Sequence, residues 1–221
     1  MARDKLNDAI DDLFKRERWN EARRLLERER SRDPQSHWIL TQLGVTFYEQ
    51  QRYDEALVLF AASLEIVPDC PLTLWNLAGT LDALGKPARA VSIYTWLLRS
   101  DKSPKDDPCW ESKQWTDALK ADCAYRLGVS FEHLGKKQKA RNWYLQYLNL
   151  LSAGLEGSYS LEDVQSCLRD LRGSDQNGAA EREIRKALHA TVQAAGGTRR
   201  TKRRDAPPVL DAAELVGRTR K

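Results

Sequence analysis

The chain has 221 residues, 41% hydrophobic and 31% charged, with a formal net charge of +4, a balance that suits a soluble, helix-rich protein with many exposed faces. No uninterrupted apolar run of about 18 residues occurs, which argues against a transmembrane helix, and the mixed-charge start at residues 1–6 is not that of a secretory signal. The excess positive charge sits at the end: residues 173–221 hold 11 Lys and Arg against 6 Asp and Glu, leaving the remainder at −1. Cys70, Cys109, Cys123 and Cys167 form no CxxC pair and read as reduced thiols, placing the chain in the cytoplasm.

Ala22, Ala56 and Ala90 stand 34 residues apart, as do Pro34 and Pro68, and the bulky residues Leu26, Phe60 and Tyr94. A fixed period of this length marks a stack of helical hairpins, in which each copy buries its apolar face against the next. The first copy, residues 3–36, keeps Leu6, Ala9, Leu13, Ala22, Leu26 and Pro34, but has Ile10 where a small residue is usual. A worn end copy is what a capping repeat looks like. In the second copy, residues 37–70, Leu40, Leu43, Gly44 and Phe47 fall at helical spacing, then Ala56, Phe60 and Ser63 after a break at residues 50–52. Small residues at 44 and 56 let two antiparallel helices approach, and Pro68 stops the second. The third copy, residues 71–99, carries Leu74, Leu77, Ala78, Leu81, Gly85, Ala90, Tyr94 and Leu97.

The period then breaks, since Ala90 and Ala140 are 50 residues apart, sixteen more than one repeat. The insertion, residues 100–120, opens as a polar loop, and Asp107-Pro108 predicts an N-cap followed by proline at the first helical position. A helix from there would run to Leu134, starting two to three turns earlier than its counterparts. The stretch is either a tolerated loop or an added wall carrying Trp110 and Trp115. The fourth copy, residues 121–151, shows Ala124, Leu127, Gly128, Phe131, Gly135, Ala140, Tyr144 and Tyr147. After a loop, Ser160 and Asp163 predict a capping box opening a helix within residues 158–172 that covers the end of the stack, with Leu161, Val164, Leu168 and Leu171 on one face. Residues 173–221 are partly helical by pattern, then read as a flexible basic tail containing Arg199, Arg200, Lys202, Arg203 and Arg204.

These copies resemble the tetratricopeptide repeat, whose pattern of Leu, Gly/Ala, Tyr/Phe, Ala, Phe/Tyr, Ala and Pro they match over residues 3–150. The resemblance implies an all-α, right-handed superhelical solenoid, residues 1–151, of about four hairpins with a C-terminal capping helix. It also implies a concave groove lined by the first helix of each copy. Carried over position by position, the groove residues include Trp38, Thr41, Val45 and Tyr48 in the second copy, Trp75 and Asn76 in the third, and Asp122, Tyr125 and Arg126 in the fourth. Four aromatics there would give wide contact area at low entropic cost. Co-chaperones of this family clamp a peptide's terminal carboxylates with Lys, Asn and Arg. Asn76 and Arg126 match that clamp, but Thr41, Val45 and Asp122 replace its other members, so strong dicarboxylate binding is not expected.

No chemistry is legible. His37, His133 and His189 have no metal-ligand spacing with the cysteines, no glycine-rich phosphate loop follows a strand, and no Ser or Cys sits in a nucleophile motif. No metal and no cofactor is expected, and the chain is read as non-catalytic. The leading reading is a protein–protein interaction adaptor or chaperone-like scaffold that takes a peptide segment of a partner in the groove. One alternative is an accessory subunit of a nucleic-acid-handling complex whose tail, through Arg199, Arg200, Lys202, Arg203 and Arg204, neutralises phosphates. A second is a secretion-type chaperone. No membrane partner is expected.

Overall fold

The computed structural model describes residues 3–102 and 108–172, all of them helix, turn or loop with no strand among them. The chain divides at Leu84/Gly85 into two compact units. No described helix is long and apolar enough to cross a membrane.

The first unit holds α1 (Arg3–Lys15), α2 (Trp19–Arg30), α3 (His37–Tyr48), α4 (Tyr53–Ile66) and α5 (Pro71–Ala83). Its core joins Leu6 and Ile10 of α1, Ala22 and Leu26 of α2, and Ile39 and Leu43 of α3, with Trp38 packed against it. Ile10, the departure from the repeat pattern, is 1% exposed, so the worn copy buries its larger side chain. Ser36 caps α3 by accepting from the Ile39 amide at 3.4 Å, and Pro71 opens α5 at its first turn, where its missing N–H costs nothing. Gly44 lets α3 close on α4: a Cβ there would lie 2.5 Å from Phe60 Cε1.

The second unit holds α6 (Pro87–Arg99), a 3₁₀ turn at Pro108–Trp110, α7 (Lys113–His133), α8 (Lys137–Ser152) and α9 (Leu161–Arg172). Helix α7 is the longest among the described residues, at 21 residues against 12 and 13 for α3 and α5. The predicted start at Asp107-Pro108 is corrected here. Glu111 takes a left-handed φ of 43° that separates the 3₁₀ turn from the helix, and Ser112 is the N-cap, accepting from the Trp115 amide at 3.1 Å. Asp107 itself lies outside the described residues. Trp110 is not a surface wall: it is fully buried, 6.4 Å between centroids from Trp96, with its carbonyl accepting from Thr116 Oγ1 at 3.0 Å.

At the far end, the Asp163 amide donates to Ser160 Oγ at 3.1 Å and the Ser160 amide donates to the Asp163 carboxylate at 3.1 Å. Helix α9 then buries Val164 and Leu168 on α8 beside Tyr144 and Tyr147. Leu161, expected on the same face, is instead 55% exposed, because it occupies the first turn, ahead of the buried stripe.

Candidate functional site

In the first unit the groove positions fall on α3 and α5, which pack side by side. Trp38, Tyr48 and Trp75 are half-buried. Tyr48 meets Tyr53 edge-on at 5.4 Å. The Trp75 indole nitrogen is itself buried and finds no acceptor among the described residues. Thr41 and Asn76 both make hydrogen bonds within the unit. Thr41 is 1% exposed, and its hydroxyl lies 2.9 Å from Ser63 Oγ and 2.7 Å from Thr73 Oγ1 while donating to the His37 carbonyl at 2.9 Å. Three hydroxyls thus tie α3, α4 and α5 together from inside. The Asn76 amide donates to the Leu72 carbonyl at 2.9 Å, which turns one of its two N–H bonds to its own helix.

In the second unit the groove positions of α7 are covered from within the unit. The Asp122 carboxylate accepts from the Ser158 amide at 2.8 Å and from Ser158 Oγ at 2.6 Å. Burial pushes its pKa up, against the two Ser158 hydrogen bonds and the charge of Arg126. Tyr125 stacks on Tyr159 with centroids 3.8 Å apart and ring planes 14° from parallel; its hydroxyl lies 3.9 Å from Cys167 Sγ. Arg126 Nε donates to Tyr94 Oη at 3.1 Å, tying α7 to α6. Asp122, which departs from the carboxylate clamp, is therefore an anchor for the segment before α9. The sequence offered no signal for this, because Ser158 lies 36 residues from Asp122 and the bond belongs to tertiary structure. The tail residues Arg199, Arg200, Lys202, Arg203 and Arg204 lie outside the described residues.

Two buried side chains of the second unit, Cys123 and Tyr144, are held in their protonated forms. Burial drives the Cys123 thiol well up, and burial together with the Glu132 hydrogen bond holds the Tyr144 hydroxyl protonated. All four cysteines are free thiols. A thiol or phenol raised this way is a poor nucleophile at neutral pH.

Two family models, both described as tetratricopeptide repeat, match residues 35–103 and 76–154. Together they span 35–154 of the 221 residues. No curated protein matches the sequence. Among solved structures, one described as "MamA RS-1 ArsTM double mutant" is similar in fold, with a TM-score of 0.58 at 12% identity, over 86% of this chain and 94% of that one.

Proposed function

The chain belongs to the tetratricopeptide-repeat family, whose members are protein-interaction scaffolds, and on that premise we propose that it captures a peptide segment of a partner protein on the face formed by α3 and α5. The observation that carries the reading is the set of half-exposed aromatics there, Trp38, Tyr48 and Trp75. Large rings at an interface give contact area for little lost rotamer freedom. Thr41, Asn76, Tyr125 and Arg126 enter as supports that hold the helices through the bonds given above. The protein acts by binding and catalyses no reaction, which fits an adaptor or chaperone-like role in the cytoplasm.

Selection of peptides from a displayed library on the full chain, followed by titration of the enriched sequences, tests this. Trp38→Ala with Trp75→Ala is expected to weaken those peptides at least tenfold while the circular dichroism spectrum is kept. Unchanged affinity in a folded double variant would show that the face is not the binding site.

A further inference from the structure

Each hairpin turn sets two residues at fixed points of the repeat, the one just before its second helix and the one three positions on. In the first unit these are Arg18 with Glu21 and Arg52 with Glu55. Arg18 Nε and a second guanidinium nitrogen meet the two Glu21 oxygens at 2.6 and 2.5 Å, and Arg52 meets Glu55 Oε1 at 2.9 and 2.5 Å. In the second unit the same positions hold Lys86 with Arg89 and Lys136 with Lys139. The acid has become a base in both turns, so the within-turn ion pair is replaced by like charge.

The rest of these helices follows suit. Helix α2 carries Glu21, Glu27 and Glu29, and α4 carries Asp54, Glu55 and Glu65, whereas α6 and α8 contain no acidic residue at all. Residues 1–84 hold 11 Lys and Arg against 15 Asp and Glu, and residues 85–172 hold 14 against 11. The two basic turns also lie at the same end of the unit. Lys120 Nζ bonds the Ser100 carbonyl at 2.7 Å and Arg126 Nε bonds Tyr94 Oη, an antiparallel register that, continued, sets Pro87 against His133. The turn at residues 134–136 brings the start of α8 to that same end of α7, with Gly135 at φ 67°. Lys86, Arg89, Lys136, Lys137 and Lys139 therefore share one edge of the unit, and all but the half-buried Arg89 are exposed.

Cations at a helix start oppose the macrodipole and repel at i, i+3 spacing. This clustering of cations at two helix starts is placed against the interest of folding, which points to a partner that carries negative charge. We propose that it is a docking surface for the phosphate backbone of a nucleic-acid duplex. The exposed large apolar side chains among the described residues are Val58 and Leu161, neither of them on this edge, so it lacks the apolar anchor that a peptide ligand would need. Lysines spread along an edge match phosphates and read no base. The surface is distinct from the α3–α5 face and does not rest on the peptide reading.

Fluorescence anisotropy of short labelled DNA and RNA duplexes with the full chain, across a salt series, tests the proposal. Both duplexes are expected to bind with affinity that falls as salt rises. Arg89→Glu with Lys139→Glu would restore to Lys86 and Lys136 the acid three residues on. That variant is expected to keep its helix content and thermal midpoint, to bind at least tenfold more weakly at low salt, and to show a log–log salt slope smaller by about two. Lys86→Gln with Lys136→Gln is the second variant, expected to shift the slope in the same direction. Absence of duplex binding, binding that neither variant changes, or tighter binding of labelled polyglutamate than of either duplex would each overturn the proposal.

Discussion

Two kinds of glycine position show how single residues set the hairpins. The turn position at 17, 51, 85 and 135 is left-handed throughout, with φ between 54° and 71°. The second unit fills it with Gly85 and Gly135, and the first with Glu17 and Gln51, which pay the Cβ penalty that glycine avoids. The other kind is a matter of space. A Cβ on Gly128 would lie 2.5 Å from Tyr144 Cε1 and 2.6 Å from Cδ1, meeting the ring along its edge. The ring cannot swing away, because Tyr144 Oη donates to Glu132 at 2.6 Å. Gly128→Ala is therefore expected to lower stability by about 1–3 kcal/mol despite alanine's better helix propensity, read as a drop in the urea midpoint. An unchanged midpoint would mean that α7 and α8 can separate freely.

At the scale of elements, the join between α7 and the segment before α9 turns on Asp122. Its pKa is raised in the folded protein, so its protonated form is the better fit. The stability it contributes is present below the unfolded value of about 3.9 and is lost as pH rises through the raised folded value. Asp122→Asn keeps an acceptor for Ser158 and removes the charge. Its urea stability is expected to match or exceed that of the parent at pH 7 and to lose this pH dependence. Asp122→Ala leaves both Ser158 donors without their acceptor and is expected to cost about 1–3 kcal/mol at either pH. Equal stability of the two variants would remove Asp122 as an anchor.

The same element explains what sequence could and could not reveal. The hairpins were legible because Gly44, Ala56, Phe60 and their successors act through local period and size. The start of α7 was misplaced because Asp107-Pro108 and Ser112 are both good helix-start signals, and the choice fell to the burial of Trp110 against Trp96. The roles of Thr41, Asp122 and Tyr125 were hidden because the partners Ser63, Ser158 and Tyr159 lie 22 to 36 residues away in sequence.

For the whole molecule, charge rises along the chain: −4 over residues 1–84, +3 over 85–172 and +5 over 173–221. Two explanations of duplex binding follow, one from net charge and one from placement, and they separate cleanly. Changing Arg199, Arg200, Lys202, Arg203 and Arg204 to Gln removes five cations and takes the full chain from +4 to −1. If net charge governed, this variant would stop binding. If the edge at Lys86, Arg89, Lys136, Lys137 and Lys139 is a site in its own right, the salt slope is expected to shrink by up to about five yet stay above zero. The residue of binding should then vanish on adding Arg89→Glu and Lys139→Glu. If the tail run and the edge contact the duplex independently, their effects on log affinity at one salt concentration are expected to add. A tail variant with no remaining affinity at low salt would assign the whole interaction to residues 199–204.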